Sequence, residues 1–157
     1  MLKYMPVTHN TFVIQRTYRV SPARLFRAFS DPAQKRQWFA ESDRHTVEDF
    51  ALDFRVDGSE RATYRFNETS PFPGLELTNL STWHEIVEDS RIVFTSVMAM
   101  AGHRISVTLA TIELTASAAL ETTLTFTHQA VFFENSDGPQ IREHGWRSLF
   151  DRLAANL

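Results

Sequence analysis

The sequence predicts an α+β fold in which a strongly curved antiparallel sheet of about seven strands wraps a long C-terminal helix. Three observations carry that expectation. The last twenty residues, Gly138 to Leu157, place Trp146, Leu149, Phe150, Leu153 and Leu157 at offsets of three, four, seven and eleven, one stripe of a helix. Two helix-start signals, Ser21-Pro22 and Asp31-Pro32, follow directly on the first alternating run and announce two short helices. From His45 to His128 the chain then alternates between apolar and polar residues, broken only by turn signals.

Taken in order, Phe12 to Val20 reads as a half-buried strand, with Phe12, Ile14, Tyr18 and Val20 on one side and Arg16 as the exception among them. Ser21-Pro22 opens a helix carrying Leu25, Phe26, Ala28 and Phe29, and a second short helix runs from Pro32 to about Trp38. A strand from His45 to Val56 sets Phe50, Leu52, Phe54 and Val56 on its inner face. Asp57-Gly58 supplies a hairpin turn, and Ala62, Tyr64 and Phe66 continue the inner face. After the loop Ser70-Pro71-Phe72-Pro73-Gly74, a strand from about Leu75 to Val87 alternates too poorly to orient Trp83 and His84. Ile92, Phe94, Ser96, Met98 and Met100 share a face. Ile105, Val107 and Leu109 begin a strand expected to slip register near Ala110, and Leu120, Leu124, Phe126 and His128 face inward on the last strand. Asp137 is placed to cap the final helix. Gly145 inside that helix costs about 1 kcal/mol relative to alanine, and its position beside Trp146 implies close approach of a neighbouring backbone or a bound molecule.

Composition narrows the function. A chain of 157 residues fits one domain with a full core. A net charge of −3 and a pI near 6.1 lack the basic excess that nucleic acid selects. With no cysteine, disulfides, thiolate nucleophiles and cysteine-ligated metals are excluded. Neither a signal peptide nor a membrane span is read, so a cytoplasmic protein is expected. The aromatic content stands out, with 13 phenylalanines, three tryptophans and three tyrosines. A curved sheet seldom closes fully on a helix, and the gap between them is the expected site.

These residues resemble a known family. Phe12 to Val20 with Ser21-Pro22, Asp31-Pro32 running into Trp38, Ser106-Val107-Thr108, Thr122 to His128, and Gly145-Trp146 followed by Leu149, Leu153 and Leu157 look like the activator-of-heat-shock-protein-ATPase homologue branch of the SRPBCC superfamily, which includes START and birch-pollen-allergen-like proteins. One departure is Asp57-Gly58-Ser59, where the family pairs two glycines. The resemblance implies a helix-grip fold around an apolar cavity and a single START-like domain over residues 1–157, with 1–11 as a short N-terminal extension. Members range from ligand carriers to cyclases, hydrolases and co-chaperone-like domains, so fold alone does not fix function.

The expected function is binding of an apolar or amphipathic small molecule between sheet and helix. Its candidate contacts are Arg16, Trp38, Phe54, Tyr64, Phe66, Phe94, Met98, His128, Trp146 and Phe150. Arg16 draws attention because a buried cation needs a carboxylate, carbonyls or an anionic ligand. His128 lies in line with Leu124 and Phe126 and offers acid-base or hydrogen-bonding chemistry. Against these stand an internal ion pair for Arg16, a backbone-bonded strand-end role for His128, and ordinary core packing for the aromatics. His84-Glu85-Ile86-Val87-Glu88 lacks the second histidine of a zinc helix, and no nucleophile elbow, phosphate loop or dinucleotide fingerprint occurs. No catalytic residue, metal or cofactor is therefore assigned. The alternatives are a co-chaperone-like domain docking a protein through exposed Arg55, Arg61 and Arg65, and a cyclase- or hydrolase-type enzyme using Arg16 and His128 together. A homodimer is an open expectation.

Overall fold

In a computed structural model describing residues 5–157, seven strands form one antiparallel sheet in the order β1-β7-β6-β5-β4-β3-β2. The elements are β1 (Thr8–Tyr18), α1 (Pro22–Ser30), α2 (Pro32–Lys35), a π-helical turn (Arg36–Ala40), β2 (His45–Leu52), β3 (Ser59–Phe66), β4 (Glu76–Val87), β5 (Arg91–Met100), β6 (His103–Ala118), β7 (Glu121–Phe132) and α3 (Pro139–Ala155). This is the expected helix-grip arrangement, with both short helices between β1 and β2. The first strand begins at Thr8 because His9, Asn10 and Thr11 pair with Val131, Ala130 and Gln129. Part of the expected extension is thus sheet.

Ser21 caps α1, its Oγ accepting from the Arg24 N–H at 3.2 Å. The second helix starts at Pro32 as expected and ends in the wide turn, whose looser winding buries Trp38, Phe39 and Ala40 in succession. The core joins both short helices to the sheet and α3. Trp38 stacks on Phe150 at 6.4 Å and meets Phe29 edge-on at 5.0 Å, while Phe126 meets Phe150 edge-on at 5.2 Å. Trp83, unoriented by its sequence context, points inward between Phe54 and Phe94 at 5.1 and 5.2 Å. His84 points outward and bonds Thr95.

Leu120, expected to face inward, lies in the turn before β7 and is 72% exposed, and four further local expectations are corrected. The β2–β3 connection is not a two-residue hairpin: β2 ends at Leu52, and the loop folds onto β4, with the Asp57 N–H donating to Trp83 O and the Trp83 N–H to Gly58 O. Phe54 therefore packs inward from a loop, and Val56 is 47% exposed. The slip in β6 lies at Ile105, where Met98 pairs with Ser106 and Ala99 with Arg104, whereas Ala110 pairs regularly with Phe94 and His128. That extra residue turns Ser106 and Thr108 inward and leaves Val107 and Leu109 outside. Asp137 does not cap α3. Gly138 holds the N-cap at φ 84°, and the Asp137 carboxylate binds Arg142 instead. Gly145 is exposed, and a Cβ there would meet nothing within 4 Å, so no close approach explains it.

The C-terminal half of α3 is held by several bonds. Tyr18 donates to Phe150 O at 3.1 Å, Arg16 reaches Asp151 at 2.6 Å and Arg147 O at 3.3 Å, Arg24 reaches Asn156 O at 3.3 Å, and Arg152 reaches Glu41 O. Phe150 and Leu153 are fully buried there, with Trp146, Leu149 and Leu157 half-buried beside the core. Its N-terminal half meets the sheet through Arg142, which donates to Ser106 Oγ at 2.9 Å, and through Trp146, whose ring lies 4.5 Å from Phe126.

Candidate functional site

Beneath that N-terminal half lies a cavity of about 20 Å³, room for one water-sized molecule. Lys35 and Phe39 from the helical segment, Glu60 (β3), Asn79 (β4), Phe94, Ser96 and Met98 (β5), Thr108 (β6), His128 (β7), and Arg142 and Trp146 (α3) line it. A void beside Trp146 was expected, but a purely apolar one is corrected: beside Phe39, Phe94, Met98 and Trp146, the other seven lining residues are polar or charged. The inward positions here carry Asn79, Ser96, Ser106 and Thr108 where a dry core would carry aliphatics, and they are satisfied locally: Ser96 donates to Asn79, Ser106 accepts from Arg142, and Thr108 faces His128.

The first pair is Lys35 with Glu60, Nζ to Oε1 2.9 Å. Lys35 projects from the last turn of α2, and Glu60 points inward because β3 alternates Glu60, Ala62 and Tyr64 toward the core. The ammonium lies 4.4 Å from the Phe39 ring centroid, 5.2 Å from Trp83 and 5.6 Å from Trp38, so ring faces take the place of water on its other sides.

The second pair joins Arg142 to Asp137 through Nε–Oδ2 at 2.8 Å and Nη2–Oδ1 at 2.9 Å. Arg142 also bonds Ser106 and lies 5.1 Å above the Phe132 ring. Burial alone would raise the Asp137 carboxyl, but the bonds and charge of Arg142 hold it below the usual carboxylate range.

Between the pairs sits His128, 1% exposed and stacked on Phe12 at 4.4 Å. Burial first, then the charge of Arg142, pushes its pKa down to about 4, so the ring is neutral at pH 7. Its Nε2 faces Thr108 Oγ1 at a long 3.4 Å, and its Nδ1 has no hydrogen-bond partner among the described residues. A buried polar nitrogen without a partner costs about 1–3 kcal/mol.

Of the residues singled out from sequence, Phe94, Met98, His128 and Trp146 line this cavity. Trp146 lies 4.5 Å from Phe126 and 5.9 Å from Phe39, forming one wall. Trp38 and Phe150 are core, the Trp38 indole donating to Ala28 O at 2.8 Å. Phe54 packs on Phe26 and Trp83, while Tyr64 and Phe66 sit beside His45. Arg16 does face inward, but its partner is Asp151 of α3, and it does not reach the cavity. Arg16 opposes Leu124, and Phe12 opposes His128. Four residues of strand, about 13 Å, thus separate Arg16 and His128, so they do not converge on one molecule.

Lys35, Glu60, Asn79 and Arg142 were missed. Glu60 and Arg142 each carried a legible signal, a charge on an inward position of an alternating strand or a helix stripe. Lys35 carried none, since a lysine ending a short helix reads as solvent-facing. Among the described residues no group of three or more His, Cys, Asp or Glu side chains is arranged to hold a metal ion, and no helix is long and apolar enough to cross a membrane.

Comparison with known proteins agrees with this architecture. The family model of Activator of Hsp90 ATPase homolog 1-like protein matches residues 19–157. The structure of Mll3558 protein from Rhizobium loti is 40% identical at a TM-score of 0.85, over 97% of this chain and 99% of that one. An uncharacterised protein from Rhizobium leguminosarum is 32% identical at a TM-score of 0.89, over 98% and 97%. Protein CV1439 from Chromobacterium violaceum, 22% identical at a TM-score of 0.75 over 93% and 96%, shares the fold. No curated protein matches the chain. With nearly its whole length matched, the chain belongs to the Activator of Hsp90 ATPase homolog 1-like family.

Proposed function

We propose that this protein binds a small apolar or amphipathic molecule between the sheet and the N-terminal half of α3. One observation carries the reading: a cavity walled by Trp146, Phe39 and Phe94 is also lined by the polar side chains of Glu60, Asn79 and His128. Aromatic walls give a ligand apolar surface, and polar groups set deep in such a pocket fix its orientation. The cavity's size means that binding displaces the N-terminal half of α3, which is attached to the sheet through Arg142 and through Trp146 packed on Phe126. Titration across a panel of lipids and aromatic compounds, followed by tryptophan fluorescence and native mass spectrometry, tests this. Saturable binding altered by Trp146→Phe is expected, and a flat response across the panel overturns it.

A second reading, docking of a protein partner, is favoured by the family match and by exposed Leu80, Val107 and Leu109 on the outer sheet face. Arg55, Arg61 and Arg65 are less suited to it than their sequence positions suggested. They are paired with Asp53, Asp49, and Glu48 with Glu76, so their charges are already answered. Loss of partner capture on Leu80→Asp, with Trp146→Phe silent, would support this reading over the first.

A further inference from the structure

Every charge on the cavity wall is answered from within the chain. Lys35 is matched by Glu60 at 2.9 Å and Arg142 by Asp137 at 2.8 Å, and His128 is neutral. The remaining lining residues, Phe39, Asn79, Phe94, Ser96, Met98, Thr108 and Trp146, carry no charge. The enclosed site is therefore electrically balanced before anything binds.

Hydrogen-bonding capacity, unlike charge, is left over. Glu60 uses Oε1 for Lys35, and Oε2 has no partner among the described residues. Arg142 spends Nε and Nη2 on Asp137 and Ser106, leaving Nη1 unengaged among them. Asn79 accepts from Ser96 through Oδ1 and leaves its amide N–H groups unengaged among them. The wall thus offers a strong acceptor at Glu60 and donors at Asn79 and Arg142.

Building on the binding reading above, we propose that the cavity selects an uncharged molecule with a donor-bearing head, a carboxamide or a hydroxyl, on a small apolar body, and rejects the carboxylate of the same shape. A carboxamide gives its N–H to Glu60 and takes a bond from Asn79 or Arg142 at its carbonyl. A carboxylate has no hydrogen to give Glu60, repels that oxygen, and brings a net charge into a site with no counter-charge left to receive it. Its hydration is lost without a replacement.

Three isosteric pairs test this: acetamide with acetate, phenylacetamide with phenylacetate, and decanamide with decanoate. They are titrated near neutral pH into the wild-type chain and followed by tryptophan fluorescence and the NMR shifts of Glu60, Asn79 and Trp146. The amide member is expected to bind about tenfold tighter or more. Glu60→Gln leaves Lys35 without its counter-charge, so the preference should reverse, and phenylacetate should raise the melting temperature of that variant more than of wild type. Should Glu60→Gln not fold, Asp137→Asn exposes the charge of Arg142 and should shift preference the same way. Saturable wild-type binding in which the carboxylate matches or exceeds its amide overturns the proposal and leaves cavity binding standing. A folded variant with unchanged preference also overturns it. No saturable binding by any of the six compounds overturns both this proposal and the binding reading on which it rests.

Discussion

Lys35 and Glu60 form an ion pair almost sealed from solvent, with side chains 5% and 3% exposed and the ammonium flanked by aromatic rings. Removing one partner strands the other charge in the core. Lys35→Met or Glu60→Leu alone should therefore lower unfolding free energy by about 3–5 kcal/mol. The double variant, which removes both charges, should recover most of that loss. Urea unfolding of the three variants checks it, and equal losses in single and double variants would show that packing, and not charge, is at stake.

Acid should weaken the fold through His128. Its pKa is near 4 in the folded chain against an ordinary 6.5, so between those values the unfolded chain binds the extra proton. Stability from this group is fully present above pH 6.5, falls as pH drops toward 4, and is flat below. The difference amounts to about 3 kcal/mol at most. Comparing wild type with His128→Gln by chemical denaturation from pH 7 to 4 should show a shallower decline in the variant. Parallel declines would place the acid sensitivity elsewhere.

Two glycines should respond in opposite directions. At Gly145 a Cβ meets nothing within 4 Å, so Gly145→Ala should stabilise α3 by about 1 kcal/mol through helix propensity. At Gly58 a Cβ would fall 2.3 Å from Asp53 O, a backbone atom of the same tight loop. Gly58→Ala should therefore destabilise by roughly 1–3 kcal/mol and loosen the loop over Trp83. Thermal melts of the two variants settle both signs.

Arg16 and Trp146 separate structure from binding. The Arg16–Asp151 pair is partly open to water, with side chains 27% and 68% exposed, so Arg16→Met should change stability by less than about 1 kcal/mol. Ligand affinity should be unmoved by Arg16→Met and reduced several-fold by Trp146→Phe. An affinity loss on Arg16→Met would mean that the guanidinium leaves Asp151 for the ligand.

The architecture was legible because it rests on local signals that tertiary context reinforces. Ser21-Pro22 capped its helix, the stripe through Phe150 and Leu153 found the core, and alternation from Phe50 to Phe126 built the sheet. The site was legible only in part. Phe94, Met98, His128 and Trp146 could be read by facing, since period alone sets it. Lys35 and Asp137 could not, because their roles depend on partners at Glu60 and Arg142 in other elements or turns. Gly145 misled for a related reason: a helix glycine signals close approach only if something lies near, and the sequence does not place neighbours.

The unequal fastening of α3 sets the order in which its parts let go. Amide protons from Arg152 back to Phe150 should exchange on the slowest clock in the rod, while those around Glu143 to Trp146 exchange sooner, once the guanidinium lets go of Ser106. On the binding reading proposed above, a guest would pass under the raised tip while the oily heel of the rod keeps its seat, and admission would then be a separate event from unfolding.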